Sequence, residues 1–132
     1  MKLKSLYVGA ALVLFLACGG EEGDGAVFVA EGLEPAWMIK PDGDGLRPVG
    51  HGDVSGAVWS PTGEYLAYSG QSYNADDIYI YNLKTNEAFQ VTNEYQARST
   101  GAFLPTWARD GRSVAFNSNR GNGGIYRVTV NY

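Results

Sequence analysis

Short stretches of alternating apolar and polar residues, separated by glycine, proline, asparagine and aspartate, run from about residue 26 to the end of the chain. In the middle of this region the pattern predicts four strands, at roughly 55–59, 65–69, 77–82 and 88–92. Thr62 and Gly63 between the first two suit a tight hairpin, because glycine tolerates a positive φ. Alternation along 65–69 places one set of side chains on a buried sheet face.

The pattern is repeated along the chain. The stretch WSPTGEYLAY, which begins at Trp59, returns 48 residues later as WARDGRSVAF, which begins at Trp107. The strand that contains Ile78 restarts at Ile125, and a weaker copy over residues 36–50 aligns with the middle copy at an offset of 42. Self-similarity at such a period indicates a repeat architecture, and four antiparallel strands per copy are typical of a β-propeller blade.

The strand count predicts an incomplete propeller. The first copy lacks the strand that carries the tryptophan, the middle copy is complete, and the last copy stops before its fourth strand. The predicted fold class is all-β: a partial β-propeller of about two and a half blades of four-stranded antiparallel sheet. The blades lie at about 26–50, 55–92 and 103–130. Because closed propellers have about four to eight blades, three explanations stay open: a fragment of a longer propeller, a ring formed by self-association, or an open stack of sheets.

A known family carries the same motifs. WSPTGEYLAYSG, DIYIYNL and QVT in the middle copy, and PTWARDGRSVAFNSNRGNGGIYRV in the last, resemble the TolB-type propeller repeat over roughly residues 26 to 130. That repeat has a Trp-Ser-Pro-Asp-Gly turn, an Ile-Ala-Phe strand, a Ser-x-Arg loop, an Ile-Tyr strand and a final Leu-Thr. Thr62 replaces the turn aspartate that Asp110 preserves, and Gln71 stands where Arg120 fits the loop. The resemblance implies a propeller that acts through protein–protein contacts.

The first residues predict export. Lys2 and Lys4 precede an apolar run that is too short to span a bilayer, which indicates a signal peptide over residues 1–17. Cys18 is the only cysteine and follows this run directly, in a stretch that resembles the lipobox of bacterial lipoproteins. The resemblance implies lipidation of Cys18 and a membrane anchor. Residues 18–25 then form a flexible acidic tether.

Few side chains suggest chemistry. His51, the only histidine, lies in a Gly-flanked turn with no nucleophile motif beside it, so we interpret it as a loop residue. Asp42 and Asp44 lack the twelfth-position glutamate of a calcium loop and indicate a hairpin turn. Trp59 and Trp107 recur at matching positions and predict packing between blades. We therefore expect no catalytic residue, no metal and no cofactor.

The candidate binding residues lie in loops. The segments 70–77 and 93–101 differ in length between copies, and such loops are where propellers gain specificity. Tyr73 and Tyr95 are the aromatic candidates in them, and Arg120 is the candidate in the loop of the last copy.

Charge excludes one class of partner. Removal of the signal peptide leaves eight basic and 14 acidic residues, and the basic ones are scattered. Nucleic acid is therefore excluded as a partner. The sequence favours a non-catalytic cell-envelope lipoprotein that presents propeller blades to an envelope protein, on the periplasmic face or the cell surface of a bacterial membrane. Two alternatives stay open: the accessory propeller of a larger envelope peptidase of the prolyl-oligopeptidase type, and a glycan or small-ligand binder.

Overall fold

The computed structural model describes residues 26–28, 36–39, 47–50, 54–72, 74–96 and 101–132. These residues form strands and turns with no helix among them, and so contain no helix that could cross a membrane. The ten strands are β1 Ala26–Phe28, β2 Ala36–Ile39, β3 Arg47–Val49, β4 Val54–Trp59, β5 Tyr65–Ser72, β6 Ala75–Asn82, β7 Glu87–Gln90, β8 Ala102–Trp107, β9 Ser113–Ser118 and β10 Gly124–Thr129.

The strands form three antiparallel sheets in chain order. The first sheet is β1-β2-β3, the second is β4-β5-β6-β7, and the third is β8-β9-β10. Within the described part of the chain, the first sheet has no counterpart of β4 and the third has none of β7. The predicted all-β fold and its division into three, four and three strands are confirmed.

The hairpin between the first two strands of a sheet is built identically in the second and third sheets. Gly63 has a φ of 75° and Gly111 a φ of 67°, which side-chain-bearing residues adopt at a cost. The Gly63 amide donates to the Ser60 carbonyl at 3.0 Å, and the Gly111 amide donates to the Ala108 carbonyl at 2.9 Å. The repeated turn dipeptides therefore encode one geometry twice.

A bulge also recurs in β4 and β8, the first strands of the second and third sheets. Pairing of β4 with β5 shifts register between Ser55 and Val58, and pairing of β8 with β9 shifts between Phe103 and Thr106. Gly56 and Leu104, 48 residues apart, take the positive φ angles that these bulges require. A leucine there is unusual, because its Cβ makes this conformation unfavourable.

The second sheet is buried on both of its faces. One face joins the first sheet in a core made of Met38, Val49, Leu66, Tyr68 and Tyr81. The other face joins the third sheet in a core made of Ala67, Ile78, Ile80, Ala102, Val114, Phe116 and Val130. The alternation along β5 predicted one buried face; the structure buries both, because a sheet stacks on each side.

The two repeated tryptophans lie between sheets, as the sequence predicted. Trp59 packs against the core shared by the first and second sheets, and Trp107 packs against the core shared by the second and third. Each therefore serves as a packing residue of its own sheet toward the preceding one.

Candidate interaction surface

The predicted binding loops converge at one end of the stacked sheets. Because neighbouring strands are antiparallel, the β5–β6 turn, the β7–β8 connector and the β9–β10 loop all lie at the same end, here called the connector end. The Asn119 amide donates to the Gly101 carbonyl at 3.4 Å, and Asp76 forms a parallel bridge with Gly101. The connector therefore contacts the loop on each side of it. Tyr73 lies outside the described residues.

The base of the connector is organised by a buried carboxylate, that of Asp77 on β6. One carboxylate oxygen accepts the Thr92 hydroxyl at 2.7 Å and the Glu94 amide at 2.8 Å, while the other accepts the Gln90 side-chain amide at 2.8 Å. The Thr92 hydroxyl in turn accepts the Ile78 amide at 2.9 Å. These contacts satisfy a charge that would otherwise be costly to bury and fix the start of the connector to the second sheet.

A second buried carboxylate ties the connector to the third sheet. The Glu94 side chain is fully buried, with 0% of its surface exposed. One of its carboxylate oxygens accepts the Ser118 hydroxyl at 2.5 Å, and the other is ion-paired with Arg120. Glu94 therefore links two sheets. Its main-chain amide binds Asp77 of the second sheet, and its carboxylate contacts the third sheet.

Arg120 is oriented from several sides. Its guanidinium lies 5.0 Å from the Tyr126 ring centre and 5.9 Å from the Phe116 ring centre. Both distances allow cation–π interactions with the ring faces. The Tyr126 hydroxyl donates to the Arg120 carbonyl at 2.9 Å. The hydrogen bond to Glu94 raises the pKa of Arg120, and burial opposes this by lowering it. Its side chain keeps 31% of its surface exposed.

Tyr95 is the exposed aromatic residue of the connector. Its neighbour Glu94 is buried and bonded on both sides, whereas 53% of the Tyr95 surface is accessible. An aromatic side chain next to a fixed residue offers contact area at a low entropic cost. The structure thus places Tyr95 and Arg120, two of the three predicted binding residues, at the connector end. Arg120 also forms an ion pair with Glu94 that ties the connector to the third sheet.

Several residues considered for chemistry cannot be placed. Cys18, Asp42, Asp44 and His51 lie outside the described residues. Among the residues that the structure does describe, no three His, Cys, Asp or Glu side chains come together as a metal site would require.

Glu94 is the residue at this end that the sequence analysis missed. A signal for it was present: the Ser-x-Arg motif at Ser118 and Arg120 presents a hydroxyl and a cation that match a carboxylate, and Glu94 is the only acidic residue in the connector. Asp77 and Thr92 were recognised only as positions of the repeat.

Comparison with solved structures identifies the type of fold. No family model matches the chain, and no curated protein matches it either. TolB from Acinetobacter baumannii is similar with a TM-score of 0.55 and 24% identity over 70% of this chain. TolB from Agrobacterium tumefaciens is similar with a TM-score of 0.60 and 24% identity over 80% of this chain. The chain has a TolB-like β-propeller fold.

The likeness extends to another propeller-containing structure, and in each case it is partial. Tricorn protease matches with a TM-score of 0.62 and 16% identity over 79% of this chain. This chain spans 23% and 38% of the two TolB chains and 11% of the tricorn protease chain. The three sheets therefore correspond to a part of the TolB-like propeller, in agreement with the predicted partial propeller.

Proposed function

We propose that the protein is a non-catalytic cell-envelope lipoprotein, anchored by a lipid on Cys18, that uses the connector end of its propeller sheets to bind an envelope protein. The observation that carries the proposal is the exposed Tyr95 beside the buried Glu94, which is bonded to both the second and the third sheet. Rigid support beneath an exposed aromatic side chain is characteristic of protein-binding surfaces.

The proposed lipid anchor is supported by the sequence alone. Cys18 directly follows the apolar run, where a lipid anchor would be attached. The acidic, glycine-rich segment between Cys18 and β1 would then serve as a flexible tether for the sheets. An acidic chain without clustered basic residues suits a protein partner better than a nucleic acid. The similarity to tricorn protease concerns the fold and does not assign proteolysis to this chain.

Lipidation is tested in bacterial cells that express the full chain with an alkyne-tagged fatty acid in the medium. The wild-type protein should carry the label and lose the mass of residues 1–17, whereas Cys18→Ser should carry no label. Label on neither protein would contradict the membrane anchor.

The binding surface is tested with a photo-crosslinking amino acid placed at Tyr95 in one variant and at Lys84 in another. Lys84 is exposed in the β6–β7 turn, at the opposite end of the sheet, and serves as the matched control. Irradiation of cells should give a discrete adduct of higher mass from position 95 and none from position 84. Equal adducts from both positions would contradict a specific role for the connector end. A glycan or small-ligand binder, or the accessory propeller of a peptidase, would give no protein adduct at position 95.

A further inference from the structure

Each of the three sheets carries an aromatic residue at one position of the repeat. Strands β2, β6 and β10 are equivalent, and Trp37, Tyr79 and Tyr126 occupy the same place along them. Tyr79 packs against the core between the first and second sheets, and Tyr126 packs against the core between the second and third. At this position the aromatic side chain of a sheet therefore packs toward the preceding sheet.

The residue after each aromatic faces the following sheet, because neighbouring side chains along a strand point to opposite faces. Met38 lies in the core that the first sheet shares with the second, and Ile80 lies in the core that the second shares with the third. Arg127 occupies this position on the third sheet. Each junction between sheets thus combines one apolar and one aromatic member of the series, Met38 with Tyr79 and Ile80 with Tyr126.

Two members of the series, Trp37 and Arg127, have no junction within the described part of the chain. Trp37 lies beside Pro48 on the side of the first sheet that is turned away from the second, here called the first face, and 38% of its surface is exposed. Arg127 lies with Ile125 on the side of the third sheet that is turned away from the second, here called the last face, and 79% of Ile125 is exposed.

The first face and the last face are chemically complementary. The Arg127 Nε donates to the Ser113 hydroxyl at 2.9 Å, and no carboxylate among the described residues forms an ion pair with this guanidinium. Tryptophan is the aromatic residue that attracts a cation most strongly, and a guanidinium stacks well on its ring. Trp37 over Arg127 would therefore repeat the junction of Tyr126 with Ile80, with a cation in place of the aliphatic side chain.

We propose that a second copy of this chain stacks its first face on the last face, with the Trp37 indole over the Arg127 guanidinium, and that two copies close into a ring. A contact between two different faces repeats from copy to copy, so it either closes or continues as a filament. Two copies supply six sheets, within the range of about four to eight blades that closed propellers have, whereas three copies would exceed it. The contact uses neither Tyr95 nor Arg120, so it goes beyond the proposed function and does not depend on it.

The mass of the full chain in solution tests the ring. The protein is purified from bacterial cells in a detergent whose density matches the solvent, and its mass is measured by sedimentation equilibrium. We expect twice the mass that mass spectrometry gives for one chain. The mass of a single chain at every concentration, or an open-ended series of larger masses, would overturn the proposal.

Variants of the two faces separate this contact from chance pairing of chains in one micelle. Arg127→Glu and Trp37→Ala should each raise the dissociation constant of the dimer about tenfold. The double variant should be little weaker than either single one, because both changes remove the same contact. Arg127→Ile restores the residue type of Ile80 and should stay within about threefold, and Lys84→Glu, the same charge reversal in the exposed β6–β7 turn, should have no effect. Dimers of unchanged affinity in both Arg127→Glu and Trp37→Ala would overturn the proposal.

A photo-crosslinking amino acid at Ile125 tests which faces meet. Two copies with different affinity tags are expressed in the same cells, and irradiation should give an adduct that carries both tags. The crosslinked peptide should come from residues 36–49 of the other copy, which contain β2 and β3. The same amino acid at Lys84 should give no such adduct. A doubly tagged adduct joined elsewhere than the first sheet would overturn the head-to-tail stack.

Discussion

The second and third sheets carry the same repeat, yet equivalent positions meet different surroundings. Ile78 on β6 and Ile125 on β10 occupy the same position, 47 residues apart, but Ile78 is fully buried and 79% of Ile125 is exposed. The third sheet covers Ile78, whereas no described sheet covers Ile125. Burial in this protein is therefore a property of the stack of sheets and cannot be assigned to a repeat position alone.

The side chains at equivalent positions of the second and third sheets also differ in polarity. Val58 and Ile80 of the second sheet contribute to its core with the third, and their counterparts on the third sheet are Thr106 and Arg127. Thr106 and Arg127 flank Ala115 on the uncovered face, where the Arg127 Nε donates to the Ser113 hydroxyl at 2.9 Å. These residues line a shallow recess of about 440 Å³. Among the described residues the third sheet stacks on one side only, and polar side chains stand on its uncovered face at positions where the second sheet has apolar ones.

The largest effect is expected when the two sheets exchange residues at the equivalent positions Ile80 and Arg127. Ile80→Arg places an unpaired cation in the core between sheets and should lower the free energy of unfolding by about 3–5 kcal/mol. Arg127→Ile changes an exposed residue and should cost less than about 1 kcal/mol. Urea denaturation followed by tryptophan fluorescence measures both. Equal losses would show that the two faces are not distinguished by burial.

The next largest effect concerns the connector, which bonds to Asp77 of the second sheet and to Ser118 and Arg120 of the third. Glu94→Gln removes the charge that pairs with Arg120 and should lower the free energy of unfolding by about 2–3 kcal/mol. This is less than the loss expected for a fully buried ion pair, because Arg120 is partly exposed. Gln71→Ala, at the exposed position that corresponds to the arginine loop in the second sheet, should change stability by less than about 0.5 kcal/mol. Denaturation midpoints at equal protein concentration provide the comparison, and a loss for Gln71→Ala as large as that for Glu94→Gln would contradict it.

A smaller effect distinguishes the two tryptophans. Both Trp59→Phe and Trp107→Phe lose packing area. Among the described residues, the buried Trp59 Nε1 has no hydrogen-bond acceptor, whereas the Trp107 Nε1 donates to the Val58 carbonyl, so only Trp107→Phe breaks a hydrogen bond seen in this part of the chain. Trp107→Phe should therefore be about 1–2 kcal/mol more destabilising than Trp59→Phe. Differential scanning calorimetry of the two variants measures this difference. If Trp59→Phe proved the more destabilising of the two, its indole would already have an acceptor.

The strand pattern was largely predictable because it depends on local chemistry. Turn glycines such as Gly63 and Gly111, and alternation along strands such as β5, specify hairpins without reference to the rest of the fold. The count of three, four and three strands followed from alignment of the copies. The burial of both faces of β5 did not follow, because it depends on which sheets stack against it.

The candidate site was predictable in position and less so in its contacts. Loop lengths pointed to the end where Tyr95 and Arg120 lie, since loops that differ between copies are the variable part of a repeat. The ion pair between Glu94 and Arg120 joins residues 26 apart in sequence, so it could be predicted only by combining the Ser-x-Arg motif with the single acidic residue of the connector. The difference between Trp59, whose indole has no acceptor among the described residues, and Trp107, whose indole has one, could not be predicted from two matching sequence positions.

The smallest predicted effect concerns the bulges of β4 and β8, which differ in one residue. Leu104 has a φ of 53° and 65% of its surface exposed, so it carries the strain of a left-handed conformation and gains little from burial. Leu104→Gly should raise stability by up to about 1 kcal/mol, the strain relieved being partly offset by the greater freedom of glycine when unfolded. Gly56→Ala should lower stability by about 1 kcal/mol, because its added Cβ would find Pro105 at an ordinary 3.7 Å and only the φ of 60° opposes it. Opposite shifts of the melting temperature would identify backbone conformation as the cause, since the two variants alter equivalent positions of two corresponding bulges. A loss in both would show that the Leu104 side chain makes a contact worth more than its strain.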